Sequence, residues 1–401
     1  MATKQQKIKV PGPRRYELFE ESIFAEMTAL ANAHDAVNLG QGCPDFPPPS
    51  FVIEAAAAAA RGKEQQYARG AGTLELCKQL SQTLEQSFGR PIDPIREITI
   101  TVGATEALFA TIVALCEPGE EVVLIEPFYD CYPADVAIAG GICRYVPLRP
   151  QQNKSWMLDV DELAASCSNA TRLLVLNTPH NPTGKVFDAD ELAAIAEICQ
   201  RHDILAVCDE VYEELYYDHH THLRLASLPG MWERTLTISS AGKTFSVTGW
   251  KVGWIVANPE LSLAVRRIHQ WIPFAVATPL QLAVAGALQA AQQSDYYGQL
   301  RKLYQKKRDR LVSTLAGAGL RPLTPQGSYF IVSDISERAA AAKLSNDVDF
   351  CHWLTREIGV TPIPMSAFYC AQHAKEANNF ARFAFCKRAE ALDQAAERLG
   401  A

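Results

Sequence analysis

The run RLLVLNTPHNPTGKVFDADELAAIAEICQRHDILAVCD, residues 172–209, decides the fold class. Its first six residues and its last six (204–209) are short and almost continuously apolar, too short for helices and bounded by turn residues. Between them, residues 188–202 repeat apolar side chains at helical spacing, with Asp188 placed to cap the helix. A strand, a helix and a second apolar strand make a parallel pair buried on both faces, because an exposed face would show polar alternation.

Working outward, the same texture recurs. Further strands are read at 95–101 (IREITIT), 120–126 (EEVVLIE), 142–148 (ICRYVPL), 234–240 (RTLTISS) and 253–258 (GWIVAN). With the first two they make seven. TEALFATIVALC (105–116) reads as another helix, and the Ala55–Ala60 run as helix of good propensity. Past about residue 290 the pattern changes to a long charged helix (297–319), GSYFIVSDI, and FARFAFC before a last helix. The expectation is an α/β protein: a large domain over 46–290 with a mostly parallel seven-stranded sheet, and a smaller α+β domain from 1–45 and 291–401. The first forty residues show no sheet signal.

Composition sets bounds on function. The 401 residues are 48% hydrophobic, ample for a large core, and the formal net charge of −7 argues against nucleic acid as a partner. Eleven scattered cysteines, none in C-x-x-C spacing, suggest a reducing compartment with no disulfide framework. The N-terminus, MATKQQKIKVPGPRRYELFEE, lacks the apolar core of a secretory signal. The longest stretch without Asp, Glu, Lys or Arg, Ile268–Ser294, carries two prolines and several glutamines and is no membrane span. A soluble cytoplasmic protein is expected.

In open α/β sheets ligands bind at the carboxyl ends of the strands. Those ends carry Gly103, Ala104 and Thr105; Phe128; Asn177 and Asn181; Asp209 and Tyr212; and Ser240, Lys243 and Lys251. Each is ordinary alone, since a glycine before a helix, a buried Phe or a lysine in a turn needs no ligand. In order along one sheet edge they suit an aromatic heterocycle bearing a phosphate. A helix N-terminus with hydroxyls and a lysine suits the phosphate, Phe128 a flat ring, and Asp209 a protonated ring nitrogen. Lys243 is then free as a nucleophilic amine.

The ordered set VNLGQGCPDFPPP, QYARGAG, TVGATEALF, EPFYD, NTPHNPTG, DEVYEEL, SSAGKTFSVTGWKVG and ARFAFCK resembles the class I pyridoxal-phosphate aminotransferases of fold type I. The likeness runs from about residue 20 to the end and is strongest to the kynurenine aminotransferase, glutamine transaminase K and bacterial methionine aminotransferase branch. It implies pyridoxal 5'-phosphate and ping-pong transfer of an amino group between an L-amino acid (aromatic, sulfur-containing, or glutamine- or kynurenine-like) and a 2-oxo acid. It implies that Lys243 joins the cofactor's aldehyde and later carries the proton, and that Asp209 pairs with the pyridinium nitrogen. Asn181 and Tyr212 would meet the phenolic oxygen, and Phe128 would stack on the ring. The phosphate would lie among Gly103, Ala104, Thr105, Ser240 and Lys251, with Tyr67 reaching it from the second subunit of a homodimer. Arg382 would clamp the substrate carboxylate, helped by Asn181 and the Gly42 backbone. The resemblance also implies one antiparallel strand in the large sheet and an N-terminal segment closing over the site.

Two departures bear on substrate. Phe24 stands where the mammalian branch has Trp, and Phe274-Ala275 where it has Phe-His, leaving a more apolar pocket in which Phe24, Phe274 and Trp271 face aromatic or thioether side chains. No metal is expected: His219, His220 and His222 cluster in a polar loop with no second ligand group. Cys43 has no neighbouring base in sequence, and KKRDR (306–310) reads as a solvated helix face. The competing readings are a β-lyase acting on cysteine S-conjugates with the same cofactor, and a non-catalytic sensing domain, which would need a DNA-binding segment.

Overall fold

A computed structural model describes residues 21–151 and 155–401. The leader reading, and the part of the N-terminal segment before residue 21, lie outside the described residues. The seven apolar runs form one sheet. Its spatial order is Ile98–Val102, Val252–Val256, Thr235–Ser240, Leu205–Asp209, Thr171–Asn177, Glu121–Glu126 and Ile142–Pro147. Val252–Val256 runs antiparallel to both neighbours and every other pairing is parallel.

That single reversed strand matters for the site. Six strands point their carboxyl ends to one edge. The seventh begins there, so Lys251, just before it, sits beside the ends of its two neighbours. The register pairs Val252 with Val102 and Gly253 with Ser240. Helices fill the crossovers. Gly103–Leu115 follows its strand without a loop, and Ala189–Arg201 starts from a capping box in which Asp188 and Glu191 exchange hydrogen bonds. Both sheet faces are buried in apolar clusters.

A second sheet is wholly antiparallel, ordered Arg321–Leu323, Phe330–Asp334, Phe380–Ala384 and Ile363–Pro364. It follows the long helix Tyr296–Gly317. Two expectations are corrected. The early chain does join a sheet: Val37–Asn38 pairs in parallel with Val360–Thr361, a two-residue bridge too short to carry a pattern. The KKRDR run is not uniformly solvated. Arg308 is 3% exposed, its guanidinium 2.6 Å from Asp218 and 2.7 Å from Asp309, because the helix turns that side chain inward between the two sheets. All eleven cysteines are unpaired. Among the described residues no helix is long and apolar enough to cross a membrane.

Candidate active site

The carboxyl edge of the large sheet and the strand Phe380–Ala384 enclose a cavity of about 290 Å³. Of the residues singled out in the sequence, Gly103, Ala104, Thr105, Asn181, Asp209, Tyr212, Ser240, Lys243 and Lys251 all line it. Gly42, Arg382 and Phe24 complete the wall from the other side.

One end is a cradle. Gly103 opens its helix at φ +71°, and a Cβ there would meet Lys251 Cε and Nζ at 3.2 Å, so glycine keeps the space before the lysine free. Lys251 is itself left-handed (φ +53°), with Nζ 3.4 Å from Thr105 Oγ1. Gly253 was not foreseen as part of the site. A Cβ there would lie 2.6 Å from Gly103 C and 2.8 Å from Ala104 N, so only glycine lets the helix start dock on the strand.

The floor holds Asp209. Its Oδ2 accepts from Tyr132 Oη at 2.6 Å and its Oδ1 from Val211 N at 3.3 Å. Burial pushes this carboxyl up, while those two donors and the Lys243 ammonium pull it back toward ionisation. Asn177 Nδ2 donates to Asp209 O (2.8 Å), and Asn177 Oδ1 accepts from Asn181 N (2.6 Å), which locks the turn after its strand.

Lys243 rides the short helical turn Ala241–Thr244 that Ser240 opens. Its amine opens into the cavity, 3.4 Å from Gly42 O, and makes no ion pair among the described residues. Burial pulls its pKa below the usual lysine value and the Arg382 charge adds to this, while Cys386, Cys43 and Asp209 oppose it. Burial also pushes the Tyr212 phenol up. Tyr329 donates to Gly42 O, fixing the segment that faces Lys243.

Arg382 closes the far end, 1% exposed. Nη1 donates to Asn181 Oδ1 at 2.9 Å and Nη2 to Gly40 O at 2.6 Å, while the buried Nε has no partner among the described residues. The guanidinium lies 4.1 Å from the ring centre of Phe330, 4.9 Å from Phe368 and 5.1 Å from Phe24. Burial lowers its pKa to about 10, which leaves it cationic at neutral pH.

Two of the expected residues are not among those that line this chain's cavity. One is Phe128. It packs behind the wall against Tyr145 (5.6 Å between centroids), and its neighbour Tyr129 takes the exposed side. The chain leaves the strand through Pro127, so strand alternation could not say which of the two adjacent rings faces the ligand. Phe274 is 63% exposed and outside this chain's cavity, where its ring meets Tyr67 edge-on at 5.1 Å. Tyr67 is 83% exposed, also away from the cavity. His219, His220 and His222 do not converge: His222 turns inward to Glu210 at 2.9 Å, while His219 and His220 stack on each other. Cys43 lines the cavity.

The surroundings suit a phosphorylated pyridine aldehyde. They offer a glycine-held cradle beside a lysine, a buried carboxylate that accepts from Tyr132, an aromatic wall and a buried lysine with no ion pair among the described residues. The unpartnered Arg382 Nε leaves donor capacity beyond those groups.

Comparison with known proteins agrees. Residues 34–399 match the family described as aminotransferase class I and II. Kynurenine–oxoglutarate transaminase of Dictyostelium discoideum is 43% identical over 408 residues, covering 95% of this chain and 94% of that protein. Two solved structures superpose with TM-scores of 0.91. One is N-succinyldiaminopimelate aminotransferase from Mycobacterium tuberculosis, at 42% identity over 97% of this chain and 99% of the other. The second is YbdL from Escherichia coli, described as having a methionine aminotransferase function, at 39% over 98% and 99%. With the lysine, the carboxylate and the arginine gathered in one cavity, and a match of this length, the chain belongs to the class I and II aminotransferases, enzymes that use pyridoxal 5'-phosphate to exchange an amino group between an amino acid and a 2-oxo acid.

Proposed function

We propose that this aminotransferase prefers L-amino acids with uncharged aromatic, thioether, or glutamine- or kynurenine-like side chains, and that it works as a homodimer in the cytoplasm. The observation that carries the preference is the cavity's inventory of charge. Among the described residues of one chain its cations are Lys243, Lys251 and Arg382, and each already has a task in binding the cofactor or the α-carboxylate. The walls where a side chain would lie are Phe24, Tyr129 and Phe330. The similar proteins bear names pointing to kynurenine, methionine and N-succinyldiaminopimelate at 39–43% identity, so likeness alone does not choose among them.

When bound, pyridoxal 5'-phosphate supplies the aldehyde carbon that takes the amino group and a cationic ring that withdraws electrons from the substrate Cα. The chain's residues do the rest. Lys251, Thr105, Ser240 and the Gly103–Ala104 backbone hold the phosphate at the helix start. Asp209 would hold the ring nitrogen protonated, and the Tyr132 hydroxyl and the Val211 N–H, which donate to it, oppose the upward push of burial on its pKa. Asn181 and Tyr212 would orient the phenolic oxygen, beside the wall that Tyr129 lines. Lys243, whose pKa burial lowers, would hold the cofactor's aldehyde carbon through Nζ and, once released by the substrate's amino group, would carry the proton taken from the substrate Cα. Arg382 binds the α-carboxylate through its planar fork, beside the Gly42 backbone.

The dimer reading rests on Tyr67, Trp271 and Phe274. Trp271 is 82% exposed, so three large rings stand on one chain's surface, and Phe274 holds a left-handed φ of +62° that a bulky residue adopts only under constraint. In a dimer Tyr67 and Phe274 would complete the partner's cavity. The unpaired cysteines support the compartment. The domain limits, 46–290 and 1–45 with 291–401, are supported by the change of sheet and by the long helix that starts just past 290.

A single-turnover panel tests the preference. The holoenzyme is mixed with methionine, phenylalanine, glutamine, kynurenine, aspartate and glutamate, and loss of the absorbance of the Lys243-bound cofactor is timed. The uncharged donors should react at least about tenfold faster than aspartate and glutamate, the scale set by burying one unpaired charge. Faster reaction with the acidic donors would refute the preference. Ammonia and pyruvate released from cysteine S-conjugates would mark a lyase instead.

A further inference from the structure

Glu126 ends a strand of the large sheet, and Cys370 and His373 follow the turn Met365–Phe368 beside the small sheet. Glu126 is fully buried. Its Oε1 accepts from Cys370 N at 2.5 Å, its Oε2 lies 2.5 Å from His373 Nδ1, and Cys370 Sγ is 3.6 Å from the same nitrogen. A carboxylate oxygen, a thiol sulfur and an imidazole nitrogen thus converge within 4.8 Å of one another. None of the three lines the aminotransferase cavity.

We propose that Glu126, Cys370 and His373 form a binding site for a zinc ion. Zinc takes oxygen, nitrogen and thiolate sulfur at about 2.0–2.3 Å in a tetrahedron, which sets neighbouring ligand atoms roughly 3.3–3.6 Å apart. The Cys370–His373 separation already has that value, and the Glu126–His373 pair opens by about 1 Å as the ion replaces the proton between them. Mixed sulfur and nitrogen donors favour zinc over magnesium or calcium. The charges balance: carboxylate and thiolate neutralise the dication, and the imidazole binds neutral. The thiol proton passes to solvent, and His373 binds as the tautomer whose Nδ1 carries no proton. Cys370 and His373 are part-exposed, so water reaches the fourth position.

The ion would tie two sides of the active site together. Tyr129, three residues past Glu126, forms the cavity wall. Phe128 N donates to Phe368 O at 2.8 Å, and the Phe368 ring lies under Arg382. Zinc would therefore fasten the wall to the segment that backs the arginine.

Zinc chloride is titrated into chelator-treated holoenzyme by calorimetry, with metal content read by elemental analysis and Co²⁺ substituted to report geometry through its visible d–d bands. One zinc per chain is expected, with tetrahedral cobalt bands and a rise in unfolding temperature on zinc addition. Cys370→Ser and His373→Gln should each weaken binding by about 100-fold or more, at least the loss seen when a ligand's own support is removed. His219→Ala, in the surface histidine pair, should change nothing. Folding of each variant is checked by circular dichroism without metal. A holoenzyme that takes up no zinc at sub-millimolar concentration overturns the site. So does uptake that survives both substitutions in folded protein.

Discussion

Arg382 is the residue proposed to clamp the substrate carboxylate, and its surroundings allow clamping to be separated from cofactor chemistry. Its two Nη groups already donate to Asn181 and Gly40, and three rings hold the guanidinium flat. Charge-assisted bonds to a carboxylate are worth about 1.5–3 kcal/mol each, so Arg382→Ala should lower kcat/KM for amino acids roughly 10²- to 10⁴-fold. Cofactor absorbance should persist, and Arg382→Lys should recover only part of the loss, because an ammonium lacks the fork. An amine substrate without a carboxylate should react as it does with the wild type. Equal loss for that amine would mean that the arginine only holds the fold. Asp135 is a second informative residue. It is buried with Oδ2 unpartnered, and burial, reinforced by Asp130, pushes its pKa from 3.8 to about 7. Between those values the folded chain holds a proton that the unfolded chain has released. The contribution of Asp135 to stability is therefore most favourable at acid pH and is lost as pH rises toward and past 7. Asp135→Asn should remove about 2 kcal/mol of the stability lost between about pH 5 and about pH 8, measured by urea unfolding of the holoenzyme. An unchanged pH profile would contradict the shift.

Among the elements, the reversed strand Val252–Val256 does the most to build the site. Its reversal delivers Lys251 to the edge where the parallel strands end, and Gly253 lets the start of Gly103–Leu115 press against it. The clash in Gly253→Ala is with backbone, which cannot swing aside as a flexible side chain can. The helix start must back away from Ser240 and Lys251, so cofactor affinity should fall at least about tenfold while the sheet still forms. Titration of the apoenzyme with pyridoxal 5'-phosphate, with circular dichroism for the fold, measures this. An unchanged dissociation constant would show that the contact does not position the cradle.

For the whole molecule, the exposed rings of Tyr67, Trp271 and Phe274 call for a partner. The wild type should sediment at twice the chain mass of 44.1 kDa. Trp271→Glu combined with Phe274→Glu should shift it to monomer and abolish turnover, because burying two carboxylates at an apolar interface costs several kcal/mol. Tyr67→Phe should stay dimeric and bind the cofactor more weakly. A fully active monomer at low concentration would remove the interface from the mechanism.

The sequence by itself determined the seven strands, the edge at which chemistry gathers, and the positions of Lys243, Asp209, Asn181 and Ser240. These follow from local pattern: an apolar run ends, and the polar residue after it must stand at the strand's carboxyl end. Arg382 was legible through resemblance rather than spacing, since it stands on a second sheet. What no local period encodes was decided only in three dimensions. Whether Phe128 or Tyr129 faces the cavity depends on how the chain leaves its strand at Pro127. The inward turn of Arg308 depends on Asp218, ninety residues away, and the pairing of Val37–Asn38 on a segment more than three hundred residues later. Glu126 meets Cys370 across 244 residues of chain. Each of these is a contact between elements whose own patterns are complete without it. Packing, rather than propensity, selects it, and so it becomes visible only when both sheets are in place.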